Sequence, residues 1–365
     1  MSSIRDVVRC IEDFAPVFYQ ESYDNSGLQI GNYADSVTGV LLCLDVTEEI
    51  LDEAMAVGAN LIISHHPLLF GGLKKITGNN YVERIVIKAI RHKLSIYSCH
   101  TNIDNIQPGV NFKMAEKLNL KKIKILRPLP GTLCKLVVYV PKDYANSLRE
   151  VIFEAGAGQI GNYDYCSYNI SGEGTFRASI NAKPFVGEKE KLHVEQEIRI
   201  ETIFPKHLER RIMSAVIKAH PYEEVAYDIY SLNNKNKNAG AGVYGLLDTP
   251  MEEMDFMKLV KNTFRAPYIR HTVMAGKPVK CVALCGGSGS SLLSDARSVG
   301  ADIFISADFK YHQFFDADNK IIIADIGHFE SEQFTLEIFY DLLIKNFSNF
   351  AICFTKVKTN PIIYF

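Results

Sequence analysis

The apolar positions of this chain follow the same order twice. Val40-Leu41-Leu42-Cys43-Leu44 is a short apolar run, followed by a loop, a helix-like stretch, Gly58-Ala59, and the run Leu61-Ile62-Ile63-Ser64. Residues 282–308 align on 40–66 without a gap, and the identities include Cys43/Cys285, Gly58/Gly300, Ala59/Ala301 and Ser64/Ser306. Each copy reads as strand, loop, helix, Gly-Ala turn and buried strand, with the glycine where a helix C-cap is expected. The closing runs, Leu61–Ser64 and Ile303-Phe304-Ile305-Ser306, are continuously apolar. Strands of a parallel sheet covered on both faces have that composition.

The parallel continues downstream. Leu94-Ser95-Ile96-Tyr97-Ser98-Cys99 leads into His100-Thr101-Asn102-Ile103-Asp104, and Ile321-Ile322-Ile323-Ala324-Asp325-Ile326-Gly327 leads into His328-Phe329-Glu330-Ser331-Glu332. Each half therefore ends a buried strand with His-x-x-x-carboxylate. The expected fold is α/β: duplicated half-domains that face each other and form one metal-binding domain, residues 1–126 plus 239–365. The stretch between, 127–238, has another character. Pro128, Pro130 and Gly131 open it and the polar run 233–238 closes it. Inside, strands over 136–140, 163–171, 175–182, 196–203 and 225–230 alternate with helices over 144–154 and 206–219. That βαββαβ-like order predicts an inserted ferredoxin-like α+β domain.

Composition narrows the function classes. The chain has 365 residues, 47% hydrophobic and 22% charged, with a net charge of -2. That supplies a sizeable core and more than one domain. It offers no basic face for nucleic acid. No apolar run reaches the length of a membrane helix and the first residues lack a signal-peptide stretch, so a cytoplasmic location is expected. The eight cysteines are scattered, most of them within apolar runs where they read as small buried hydrophobes. Cys281 and Cys285 share one strand face and stay open as a zinc pair.

The candidate chemistry sits at the ends of the buried strands. In α/β sheets, sites form at the carboxyl ends of strands. Adjacent histidines in extended chain point to opposite faces, so His65 and His66 suit two different ions. The alternative for the pair is one packed and one surface histidine. Asp104 can bridge two ions, or cap the turn before the helix that starts near Val110. His328 and Glu332, at i and i+4, share one face of the last helix. Together His65, His66, Asp104, His328 and Glu332 overfill one tetrahedral zinc but fit two divalent ions, with zinc, iron and manganese all compatible. Two such ions can clamp a substrate oxygen and acidify a water. His100, the duplicate of His328, belongs near the site. Asp308 and His312, at i and i+4, fall where the duplicate of His66 lies, and His100 and His312 are the candidate acid/base pair. The loop Cys285-Gly286-Gly287-Ser288-Gly289-Ser290 reads either as a phosphate cradle without the P-loop lysine or as a close-packed wall of the site.

These motifs resemble a known family. Tyr23–Gly31, Ser64-His65-His66-Pro67, His100–Asp104, Ala307–His312 and Gly327–Glu332 occur in the order found in the Nif-three-like (NGG-one-interacting-factor) proteins, GTP cyclohydrolase 1 type 2 homologues. The resemblance implies the same five metal ligands, an insert similar to PII or CutA domains, and a toroidal homohexamer with metal sites facing an internal cavity. It implies a di-metal hydrolase, with water adding to a purine-type ring if the cyclohydrolase label holds. The rival expectation is a metal-binding oligomeric adaptor or metallochaperone whose insert senses a small-molecule ligand.

Overall fold

The structure is a computed structural model that describes residues 2–364. Residues up to Pro128 and from Asn238 onward form one compact unit, and Leu129–Lys237 form a second.

The first unit is mixed α/β and contains two sheets. In its first half lie β1 (Gly27–Ile30), β2 (Gly39–Cys43), β3 (Leu61–Ser64) and β4 (Ser95–Ser98). Strands β2, β3 and β4 are parallel neighbours, and β1 runs antiparallel against β4. Every residue of β2, β3 and β4 is buried, as a sheet covered on both faces requires. Between β2 and β3, helix Glu48–Ala56 starts under a Thr47 cap and closes at Gly58 with φ 72°. The Gly58 N–H donates to Met55 O and the Ala59 N–H to Ala54 O, a Schellman-type closure that needs a left-handed residue. After β5 (Lys121–Pro128) the chain enters the second unit.

The second unit holds β6 (Leu133–Pro141), β7 (Tyr168–Arg177), β8 (Leu192–Pro205) and β9 (Tyr227–Leu232), with helices Ala145–Glu154 and Glu209–Ala219. Its sheet has the order β7-β8-β6-β9 and every neighbouring pair is antiparallel. Both helices pack on one face, where Leu136, Val138, Val140, Ile200 and Phe204 meet Leu148, Ile152, Ile212 and Val216. One prediction is corrected here. The two strands expected over 163–171 and 175–182 are a single strand, β7, paired in unbroken register from Tyr168↔Glu201 to Arg177↔Leu192. Gly172 and Gly174, at the expected gap between the two strands, lie inside the ladder, and the reversal falls between Arg177 and Leu192.

The second half of the first unit repeats the first. It contains β10 (Gly240–Met251), β11 (Arg270–His271), β12 (Val279–Ser288), β13 (Ile303–Ala307) and β14 (Ile322–Asp325). Strands β12, β13 and β14 are parallel, and β11 runs antiparallel on β14 as β1 does on β4. Gly300 repeats the φ of 72° of Gly58, and Gly300 and Ala301 donate to Arg297 O and Ala296 O. Asn60 Oδ1 accepts from the Thr38 N–H at 2.9 Å, and Asp302 Oδ2 accepts from the Lys280 N–H at 2.9 Å. The outer edges differ: β10 and β5 extend the second sheet, while β15 (Ala351–Phe354) joins the first sheet parallel to β2. The helix expected from His328 onward is broken. A short helix, His328–Glu332, precedes a separate one, Thr335–Asn346. Among the described residues no helix is long and apolar enough to cross a membrane.

Candidate metal centre

The carboxyl ends of β2, β3, β4, β12, β13 and β14 converge, and the chemistry lies there. His65 and His66 follow β3 directly. Their backbone is pinned: the His65 N–H donates to Cys43 O at 3.2 Å and the His66 N–H to Leu44 O at 2.9 Å. Ser64 Oγ donates to His66 O at 2.8 Å.

Each imidazole is oriented through its Nδ1. His65 Nδ1 lies 3.0 Å from Cys99 O, His66 Nδ1 2.8 Å from Asp45 Oδ1, His100 Nδ1 2.8 Å from Asp24 Oδ1, and His328 Nδ1 2.7 Å from Asp308 Oδ2. Carbonyl and carboxylate oxygens can only accept, so every Nδ1 carries a proton and every Nε2 is turned inward, where it offers a lone pair once deprotonated. His66 Nε2 lies 2.9 Å and His328 Nε2 3.0 Å from Glu332 Oε2, and the two nitrogens are 3.2 Å apart. Behind them the fully buried His65 Nε2 lies 3.7 Å from both Asp104 Oδ1 and Glu332 Oε1.

At the centre two buried atoms have no hydrogen-bond partner, His65 Nε2 and Asp104 Oδ1, while Glu332 Oε2 is approached only by the two imidazole nitrogens. Leaving such atoms unpaired is costly. Acceptors facing acceptors at these separations need protons or a cation between them. The acidities express the same demand. Burial opposes charge on His66, but the hydrogen bonds to Asp45 and Glu332 overcome it and hold the imidazole up to about 10. Burial likewise opposes charge on His328, while Glu332 and Asp308 raise it to about 11. Burial, followed by the charge of Glu332, pushes the Asp104 carboxyl well up. Burial also works against charge on Glu332, but the imidazoles of His65 and His328 keep it well below the usual carboxylate range. Among the described residues three groups could hold a metal ion, each with ligand atoms within 4.8 Å of one another: His65/His66/His100, His66/His328/Glu332 and His65/Asp104/Glu332.

The residues singled out in the sequence divide accordingly. His65, His66, Asp104, His328 and Glu332 come together, and His100 joins them. Asp104 Oδ1 is not spent as a helix cap. His312 is not brought to this cluster: it is exposed on a 3-10 helix, Tyr311–Ala317, with its ring against Tyr311 and Phe315. Asp308 has φ 59° and precedes that helix, so the i, i+4 spacing does not bring it and His312 to the centre together, and Asp308 holds His328. Cys281 and Cys285 belong to none of the potential metal groups among the described residues.

The small-residue loop is a wall and its amides are taken. The N–H groups of Gly286, Gly287 and Gly289 donate to Asn111 Oδ1, Ser331 Oγ and Ser306 Oγ at 2.8, 2.9 and 3.0 Å. Gly287 has φ 58°, and a Cβ there would collide with Glu332 Oε1.

A family model described as Duf34/NIF3 (NGG1p interacting factor 3) matches residues 2–361. The chain belongs to that family. A Halalkalibacterium halodurans protein called GTP cyclohydrolase 1 type 2 homolog is 40% identical over 324 residues, covering 88% of this chain and 87% of the relative. A Bacillus subtilis protein of the same name is 38% identical over 327 residues, covering 89% and 88%. Among solved structures, a Bacillus cereus protein related to NIF3 matches with a TM-score of 0.87 at 35% identity, covering 100% of this chain and 99% of that one.

For a member of the DUF34/NIF3 family, the supporting carboxylates were the least visible part of the site. Asp45 follows β2 directly, at the strand end where sites form, and that position was its only signal. Asp24 was visible only within the Tyr23–Gly31 motif that carries the family resemblance. Thr359 and Asn360 gave no signal: Thr359 Oγ1 donates to Asp45 Oδ2 at 3.1 Å, and Asn360 Nδ2 donates to Glu330 Oε1 at 3.0 Å.

Proposed function

We propose that this protein is a metal-dependent hydrolase whose site holds two divalent ions, one at His65, Asp104 and Glu332 and the other at His66, His328 and Glu332. The observation that carries this reading is the pair of buried, unpartnered atoms His65 Nε2 and Asp104 Oδ1, 3.7 Å apart, beside a buried Glu332 carboxylate on which two further imidazole nitrogens converge. Glu332 belongs to both groups, so it would serve both ions, a role the sequence had offered to Asp104. Divalent ions there would supply Lewis acidity and lower the pKa of a water. Imidazole with carboxylate suits zinc, iron or manganese.

The chain's own residues do the rest. Asp45, Asp308 and the Cys99 carbonyl fix the rings of His66, His328 and His65, and so aim each Nε2 inward. Asp24 does the same for His100, which leaves His100 Nε2 free to take or give a proton at the edge of the site. The name shared by the relatives points toward a purine-type ring as substrate.

The same reading includes a homohexamer and a cytoplasmic location, supported by the family resemblance and, for the location, by the absence of disulfides among the cysteines. It takes the second unit as a ferredoxin-like, PII/CutA-like domain, supported by its antiparallel strand order β9-β6-β8-β7. The test is a turnover screen of metal-reconstituted protein on GTP, other nucleotides, phosphodiesters and cyclic amides. Turnover that disappears in His66→Ala supports the hydrolase. Metal retention without turnover on any of them overturns it in favour of a metal-binding adaptor. Sedimentation mass tests the hexamer.

A further inference from the structure

The second unit contains a cavity of about 710 Å³, lined only by its own residues. That is the size of a small-molecule site. Alternation along the strands explains where it lies. On β6 and β8 the residues Leu136, Val138, Val140 and Ile200 face the helices. Their neighbours Tyr139, Glu197 and Arg199 therefore face the other side of the sheet, and all three line the cavity.

The floor is open because β7 places glycine there. Gly172 pairs with Glu197 and Gly174 with Glu195. A Cβ at Gly172 would meet nothing within 4 Å. The walls are aromatic. Phe176 and Phe185 each contact the Tyr222 ring, with centroids 6.1 and 6.3 Å apart. The Tyr222 hydroxyl donates to Glu197 Oε1 at 3.0 Å and holds that carboxylate at the wall.

The charge of the lining is negative. Glu173, Glu197, Glu223 and Glu224 outnumber Arg177 and Arg199. Arg199 is already paired with Glu201 at 2.8 Å and lies over the Tyr139 ring. Such a lining repels phosphates and carboxylates. Aromatic faces beside an unneutralised carboxylate attract an organic cation.

We propose that this cavity binds a planar aromatic amine, its ring against the wall formed by Phe176, Phe185 and Tyr222 and its ammonium at Glu197. The proposal is independent of the metal centre.

The chain has no tryptophan, so the fluorescence of an indole ligand reports its own binding. Tryptamine, titrated by fluorescence anisotropy against the full-length protein, is expected to bind at least about tenfold more tightly than indole-3-acetate, which has the opposite charge. Gly172→Leu fills the floor and is expected to weaken tryptamine by at least about tenfold, a change of about 1.4 kcal/mol. Glu197→Gln is expected to remove most of the preference for the amine while leaving indole itself unaffected. Thermal midpoints within error of wild type show that both variants fold. No tryptamine binding at millimolar concentration, equal binding of amine and acid, or binding that survives Gly172→Leu overturns the proposal. If Gly172→Leu unfolds, Glu197→Gln alone decides, and an unchanged amine preference refutes the site.

Discussion

Gly287→Ala separates the geometry of the centre from the stability of the fold. Gly287 has φ 58°, and its absent Cβ would overlap Glu332 Oε1 and lie 3.2 Å from His328 Nε2. Alanine in the left-handed region costs about 1–2 kcal/mol. To restore ordinary contact the Glu332 carboxylate must retreat by roughly 1 Å. Glu332 is only 2% exposed and is walled by Gly286 as well, so it has little room to do so cheaply. Displacing a carboxylate shared by both metal groups should lower metal affinity on the order of 10–100-fold, the range seen when a supporting partner is lost. The control is Gly300→Ala. Its φ is 72° and nothing lies within 4 Å of the added Cβ, so it carries the backbone strain without the collision. The assay is competition for zinc or manganese against a chromophoric chelator, alongside thermal unfolding of the metal-free protein. Both variants should lose thermal midpoint by about 2–4 °C per kcal/mol, and only Gly287→Ala should lose metal. Equal metal affinity in the two variants would refute the packing of Gly287 against the centre.

Asp308→Asn removes the carboxylate behind His328 Nδ1, and chelator competition should show affinity falling on the order of 10–100-fold with little change in metal-free stability. His100→Gln should leave the metal content of dialysed protein near wild type while lowering any turnover found in the screen by about 100-fold or more, as loss of an acid/base group does. Asp302 gives a pH prediction. Burial raises its carboxyl, but Lys277 and the Cys281 and Lys280 N–H groups outweigh that and leave it below the ordinary value. A depressed folded-state pKa means that its contribution is complete above the unfolded value, about 4, and is lost as pH falls through the lower folded value. The stability gap between wild type and Asp302→Asn in urea melts should therefore be widest near neutrality and shrink on acidification below about pH 4.

The repeated strand pattern made the mixed α/β architecture legible, because parallel strands buried on both faces have few compositions open to them. The Gly58 and Gly300 turns were legible for a related reason: a left-handed helix cap admits little else. Strand β15 was not legible, since its place beside β2 depends on a pairing across the whole chain, and Ala351–Phe354 shows no distinctive local pattern. The break at Gln333 and Phe334 escaped because both sides of it favour helix. At the centre, His65, His66, Asp104, His328 and Glu332 stood out as rare residue types at strand ends. Asp45 and Thr359 did not, because acidic and hydroxyl residues in loops are common and only three-dimensional proximity gives them a partner; Asp308 stood out as the duplicate of His66, but not as the partner of His328. His312 stood out by spacing, and the left-handed backbone at Asp308 removed the helix on which that spacing depended.

The most direct measurement is metal stoichiometry in wild type and Glu332→Gln after reconstitution with zinc, manganese or ferrous iron, exhaustive dialysis and elemental analysis. Glu332 stands in both groups that pair carboxylate with imidazole, so wild type should retain two divalent ions per chain and Glu332→Gln should lose both. Wild type that retains none of the three metals, or a Glu332→Gln protein that keeps the full complement, would contradict the shared centre.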